Sequence, residues 1–294
     1  MEAQQKREEH VMTESITAAT DGSPAATAAV KWAVDDAARR GLPLRIVHIV
    51  DRWPYGVSAF PPPDWAEIAT RAGEQVLAEA IAVATQYRPD VRVTTELIAG
   101  SPAKVLREQA GTATELVIGS RGLGGFVGAL LGSMVLHVAG HVPGTVVVVR
   151  ADAGQPHGEV VVGVDSSAEC EPALAYAFEQ AKLRGCALRA VNAWQRPVYG
   201  LIPEIPADIE EVHRFHQRMT RDKVGAWREK FPEVEVVEDV RSAHPVEALT
   251  DASARADLVV VGSRGVGAVG SVLLGSVSRG VLYHAHGPVA VVHS

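Results

Sequence analysis

The feature that most constrains this chain is that it repeats itself. The segment TDGSPAATAAVKWAVDDAARRGLPLRIVHIV from Thr20 lies over VDSSAECEPALAYAFEQAKLRGCALRAVNAW from Val164, which sets Asp21 on Asp165. Later, LVIGSRGLGGFVGALLGS from Leu116 lies over VVVGSRGVGAVGSVLLGS from Val259, which sets Gly119 on Gly262. The offset is 144 at the first pair and 143 at the second, so the two copies have almost the same element lengths. A chain of 294 residues is also the right size for two domains of roughly 100–150 residues each. The copies occupy residues 16–150 and 160–294, joined by the short, polar, turn-rich ADAGQPHGE of Ala151 to Glu159. The charged residues 1–15 have no apolar pattern and are expected to be disordered.

Within each copy, apolar runs alternate with helical patterns, the signature of βαβ units and a parallel sheet. In the second copy strands are expected at Val160–Val164, Ala187–Ala193, Glu235–Val240, Leu258–Gly262 and Val289–His293, and helices at Ala168–Arg184, Ile209–Phe231, Pro245–Ala254 and Ser276–His284. The first copy repeats the order with strands at Leu44–Val50, Val91–Ile98, Leu116–Gly119 and Thr145–Arg150. Its opening strand, Ile16-Thr-Ala-Ala-Thr20, is far less apolar than Val160-Val-Val-Gly-Val164 and is expected to anchor its sheet less well. The fold class is α/β, with two tandem open parallel five-stranded sheets of order 3-2-1-4-5 and helices on both faces.

Both copies carry Gly-x2-Gly-x9-Gly-Ser directly after an apolar strand: Gly119, Gly122, Gly132 and Ser133, then Gly262, Gly265, Gly275 and Ser276. Glycines there would allow positive φ and bring backbone N–H groups close to an anion with no side chain in the way. The closing Gly-Ser opens an amphipathic helix whose free N–H groups and dipole favour a phosphate. If strands one and four are neighbours, their C-terminal ends form the crevice where open α/β sheets bind ligands. That sets Asp21 beside Gly119 and Asp165 beside Gly262, each carboxylate able to accept from ribose hydroxyls or a base amine. Helix capping is the competing role for both aspartates.

From about Ile16 to Val292 these motifs resemble the universal stress proteins of the ATP-binding kind, in tandem form. The resemblance implies an adenine nucleotide alpha hydrolase-like fold and one ATP in each half, with Mg2+ on the phosphates. By position, Asp21 and Asp165 would contact the nucleoside. Ile49 and Ala193, which follow His48 and Asn192, would hold the adenine through their backbone. The glycines, Ser133 and Ser276 would hold phosphates. It also implies a homodimer formed through the last strand, with the two halves pairing in tandem members. Departures cluster in the first half, at Thr17-Ala-Ala-Thr20 and at Val142-Pro-Gly144.

Other readings are weaker. Gly265-Val-Gly267-Ala-Val-Gly270 matches GxGxxG, but it follows the fourth strand, is broken by Val127 in the first copy, and has no Asp or Glu after Asp257 to take a ribose. No P-loop motif occurs. His137, His141, His284, His286 and His293 suggest a metal, yet they do not repeat between copies and no Cys lies near. Arg121 and Arg264, inside the loops, are secondary phosphate candidates. Phe60-Pro-Pro-Pro63 with Trp53 and Trp65, and its counterpart Arg196 to Pro206, read as lids over adenine or as plain linkers.

A net charge of −7 without a basic stripe argues against nucleic acid. Two cysteines cannot frame a disulfide scaffold, and no run approaches the ~20 apolar residues of a membrane span, so a cytoplasmic protein is expected. No His or Glu stands beside the glycines to activate water, which points to an ATP-dependent sensor or regulator rather than an enzyme, with at most weak hydrolysis. A nucleotide-independent scaffold of the same fold and a slow ATPase are the alternatives.

Overall fold

The valine runs that end the two copies meet edge to edge. In the computed structural model, which describes residues 14–51, 64–123, 131–151, 157–195, 209–265 and 274–293, β5 (Thr145–Val149) pairs antiparallel with β10 (Val289–Val292), Val148 opposite Val289 and Val146 opposite Val291. A near-continuous apolar run is what a strand covered on both faces requires.

The first half runs β1 (Ile16–Ala19), α1 (Pro24–Arg40), β2 (Leu44–Val50), α2 (Trp65–Tyr87), β3 (Val93–Ala99), α3 (Pro102–Ala110), β4 (Glu115–Gly119), α4 (Ser133–His141) and β5. The second runs β6 (Glu159–Gly163), α5 (Cys170–Arg184), β7 (Ala187–Trp194), α6 (Ile209–Lys230), β8 (Val236–Ser242), α7 (Pro245–Ser253), β9 (Leu258–Gly262), α8 (Ser276–His284) and β10. Each half keeps the expected order 3-2-1-4-5, but the two expected sheets are one ten-stranded sheet, β3-β2-β1-β4-β5-β10-β9-β6-β7-β8. Every ladder is parallel except the one at the joint.

Alternation along the strands sends side chains to two cores. Val147, Val149, Ala290 and Val292 join the cluster under α1, α2, α5 and α6, while Val146, Val148, Val289 and Val291 join the cluster under α3, α4, α7 and α8. Both clusters contain residues of both halves, so the core does not stop at the joint.

The expected weakness of the opening strand takes a narrower form. β1 is four residues long against five for β6, yet Ile16, Thr17 and Ala18 are fully buried and β1 pairs with both β2 and β4. Ladder hydrogen bonds come from the backbone and do not depend on how apolar the side chains are. The cost is the buried Thr17 hydroxyl, which has no hydrogen-bond partner. Helix α1 opens with Ser23, whose Oγ accepts from Ala26 N, and with Pro24 in its first turn. It closes on Gly41 at φ +66°, and α5 closes on Gly185 at φ +63°, left-handed positions that glycine fills without strain. The second half lacks the Ser-Pro start, and α5 begins only at Cys170, after the turn that Ser167 makes on Asp165. The expected disorder of the N-terminal residues, most of the linker and the Pro-rich loops fall outside the described residues, apart from Trp65, the first residue of α2.

Helices α1 and α5 face each other across the joint through a buried polar cluster. Asp36 accepts from Arg40 Nε (2.7 Å), Gln180 Nε2 (2.9 Å) and an Arg184 guanidinium nitrogen (3.3 Å), with its side chain 0% exposed. Tyr176 donates to Glu115 Oε2 at 2.8 Å. The repeat is visible inside this cluster: Asp36, Arg40 and Trp32 occupy the positions of Gln180, Arg184 and Tyr176, and each arginine lies over the other half's ring, Arg40 on Tyr176 at 5.5 Å and Arg184 on Trp32 at 5.4 Å. Burial, followed by the negative charge of Asp36, pushes the Glu115 carboxyl up to about 8, against the pull of Arg40 and the Tyr176 hydroxyl.

Two outcomes are expected. Asp36→Ala leaves two buried guanidiniums without their shared acceptor and should cost about 3–5 kcal/mol in chemical denaturation. Because the folded-state pKa of Glu115 lies above its ordinary value, the folded state binds the extra proton between about pH 4.5 and 8. Stability should therefore fall as pH rises through that window, and thermal melts of Glu115→Gln should show this slope flattened.

Candidate functional site

In the second half all the residues expected to bind a ligand come together. Asp165, Ala193, Gly262, Gly265, Gly275 and Ser276 line one cavity of about 440 Å3 at the C-terminal ends of β6, β7 and β9. This volume lies within the ~300–1,000 Å3 typical of ligand sites. The walls are apolar: Val164, Val191, Leu249, Val261 and Val277, with Cys170 and Pro245. The sequence reading missed these wall residues, although the valines ending the strands were a signal. Burial raises the Cys170 thiol to about 11, so it presents a neutral thiol here.

Helix α8 begins at the cavity. Its N-cap Gly275 carries no side-chain hydrogen bond to the first turn, so the opening N–H groups and Ser276 face the cavity without an internal acceptor. The Gly275 N–H itself is held by Ser263 O at 2.8 Å, and Ser278 Oγ donates to Gly262 O at 2.6 Å. Together they fix the angle at which the helix leaves the loop. Arg264 lines the same cavity.

The first half repeats the framework. Gly132 N donates to Ser120 O at 2.9 Å, and α4 opens at Ser133 with no side-chain cap. The cap of α1 is Ser23 rather than Asp21, whose Oδ1 accepts from Ser23 N at 3.0 Å, turning the chain into α1, while Oδ2 accepts from Leu123 N at 2.8 Å. Ser23 Oγ adds a bond to Arg121 O at 3.1 Å. The carboxylate thus ties the glycine loop to the start of α1, and with about four acceptor positions it keeps capacity for a ligand. Asp165 Oδ1 likewise accepts from the backbone N–H and the hydroxyl of Ser167. Ile49 lies near the end of β2 opposite Ile98, and Ala193 near the end of β7 opposite Arg241. Just before them, His48 Nδ1 lies 2.7 Å from Thr20 O and Asn192 Nδ2 donates to Val164 O at 2.7 Å, which binds the tips of adjacent strands in both halves.

The reason for the glycines differs from the one read in the sequence. None of Gly119, Gly122, Gly132, Gly262, Gly265 and Gly275 has positive φ. What Gly119, Gly122, Gly262 and Gly265 provide is close approach. A Cβ on Gly119 would stand 2.7 Å from the backbone of Ala25 and Ala26, one on Gly262 would stand 3.0 Å from Glu169 O, and one on Gly122 or Gly265 would collide with the carboxylate of Asp21 or Asp165.

The remaining histidines do not gather. His137 and His141 stack at 4.3 Å on α4, and no group of three or more His, Cys, Asp or Glu able to hold a metal occurs among the described residues. Most of the GxGxxG match lies outside the described residues. A larger opening of about 1160 Å3 follows the joint and includes Trp32, Arg150 and Arg184, but none of the glycines or aspartates of the motif. The motif residues of the second half line the smaller cavity, and Arg121 of the first half lines the larger opening.

The profile of the universal stress protein family matches residues 12–150 and again 157–293. Universal stress protein Rv2005c of Mycobacterium tuberculosis is 34% identical over 287 residues, covering 94% of this chain and 96% of that protein. A universal stress protein of Mycolicibacterium smegmatis is 32% identical over 284 residues, covering 94% and 96%. Among solved structures, a universal stress protein from Archaeoglobus fulgidus superposes with a TM-score of 0.69 at 21% identity, covering 96% of both chains. A counterpart from Pseudomonas aeruginosa superposes at 0.59 with 15% identity, covering 97% of this chain and 95% of that one. These structures share the adenine nucleotide alpha hydrolase-like fold. On the match of both halves and the identity along nearly the whole length, the chain belongs to the universal stress protein family.

Proposed function

We propose that this chain is an ATP-binding sensor or regulator with one nucleotide site in each half, at Asp21, Ile49, Gly119, Gly122, Gly132 and Ser133, and at Asp165, Ala193, Gly262, Gly265, Gly275 and Ser276. The observation that carries the reading is the cavity of the second half, where a carboxylate, a glycine loop and an uncapped helix N-terminus converge between apolar walls. The apolar walls suit a base, Asp165 suits ribose hydroxyls, and the N–H groups of the loop and of α8 suit phosphates. Mg2+ would be held by the phosphates and water, with Ser276 within the same cavity.

Regulation rather than turnover follows from the same chemistry. Asp165 is the one carboxylate among the described residues lining the cavity, and its Oδ1 is already engaged by Ser167. A general base must reach the attacking water unencumbered. ATP would act by favouring one conformation or one state of association, including pairing of two chains, in the cytoplasm. No helix among the described residues is long and apolar enough to cross a membrane.

Mass spectrometry of nucleotide released from the denatured protein, after incubation with ATP, tests this reading. Two intact adenine nucleotides per chain are expected, and Gly265→Val or Gly122→Val, which place a side chain against the facing aspartate, should each reduce the count to one. Gly119→Ala should instead lower the melting temperature, since its Cβ meets backbone that cannot give way. An empty wild-type protein that gains nothing from added ATP favours the scaffold; release of ADP and phosphate within a single turnover favours an ATPase.

A further inference from the structure

The residue that follows the last strand of each half reaches into the other half. Arg150, just after β5, donates from one guanidinium nitrogen to Leu282 O at 2.8 Å and Tyr283 O at 2.9 Å. These are last-turn carbonyls of α8, which have no acceptor role left inside the helix. His293, just after β10, stands in the equivalent place of the repeat. Its backbone N–H donates to Gly144 O at 3.1 Å and its Nδ1 lies 3.0 Å from the same oxygen. Both bonds go to the residue before β5 and extend the β5–β10 ladder, and His293 Nε2 is buried without a hydrogen-bond partner.

The arginine therefore reaches a helix end, whereas the bonds of His293 to Gly144 stop at the loop before β5. Burial first and the charge of Arg121 second lower the pKa of Arg150. Arg150 makes no ion pair among the described residues, so the carbonyls of α8 are the acceptors its half-buried guanidinium has. A cation at a helix C-terminus completes the dipole of this nine-residue helix, about 13 Å long, whose positive end opens the cavity at Ser276.

We propose that Arg150 is a positioning residue acting across the joint: it anchors the C-terminal end of α8, whose N-terminus opens the second half's phosphate cradle. The second nucleotide site is then composite, with its loop from the second half and the anchor of its phosphate helix from the first. This rests on the nucleotide reading for its consequence, but the anchoring itself does not.

Calorimetric titration of the full chain with ATP separates the two sites when one cradle is closed. In a Gly122→Val background, which leaves the second site, Arg150→Ala should weaken ATP binding about tenfold, and Arg150→Lys should recover part of the loss. In a Gly265→Val background, which leaves the first site, Arg150→Ala should change affinity less than about twofold. A loss confined to the arginine's own half, an equal loss at both sites, or no loss overturns the proposal. Hydrogen exchange without nucleotide gives an independent reading: Arg150→Ala should speed exchange along α8 and not α4. If wild type binds no ATP the nucleotide reading fails, while the exchange pattern still decides the anchoring; unchanged exchange along α8 overturns it.

Discussion

Everything particular to this molecule depends on the antiparallel ladder between Thr145–Val149 and Val289–Val292. A parallel five-stranded sheet ends in an edge whose N–H and C=O groups need partners, and an unprotected edge invites pairing with other chains. Here the edge of each half is covered by the same edge of the other. Because the ladder is antiparallel, it relates the halves by a local two-fold axis and sets the C-terminal ends of one half's strands beside the N-terminal ends of the other's. The outer edges, β3 and β8, are left polar, with Glu96 bonded to Arg45 and Asp239 to Arg189.

The axis explains contacts that would otherwise look unrelated. Around it lie the crossed cation–π pairs of Arg40 on Tyr176 and Arg184 on Trp32, and further out the reach of Arg150 and His293 into the opposite half. Symmetry is kept where it is geometric and broken where it would be electrostatically costly. Two aspartates at the positions of Asp36 and Gln180 would bring like charges together in a buried space, and Gln180 avoids this while still donating to Asp36.

The order of elements was legible because it is written in local pattern. The helices at Ser276–His284 and Cys170–Arg184 and the strands at Leu44–Val50 and Leu258–Gly262 stand within a residue or two of their expected ends. The candidate residues of the second half were legible because the glycine spacing follows a strand and precedes a helix, a context that brings them to one cavity. The walls of that cavity were not, since Leu249 and Val191 look in sequence like any other core residue. Nor was the reason for the glycines: close packing of Gly119 on Ala25 joins residues far apart in the chain, and no local pattern reports it.

The sequence by itself determined that there are two copies of one α/β unit, their strand order, and the place where a loop of small residues opens a helix, because each follows from periodicity and from what glycine and the capping residues permit locally. Only the tertiary structure decided that the copies share one sheet and two continuous cores, that Asp21 clamps the glycine loop through Leu123, and that Arg150 reaches the end of the opposite half's helix α8. Those outcomes depend on which buried edges and carbonyls find partners across the joint, and long-range pairing of that kind leaves no mark in residue spacing.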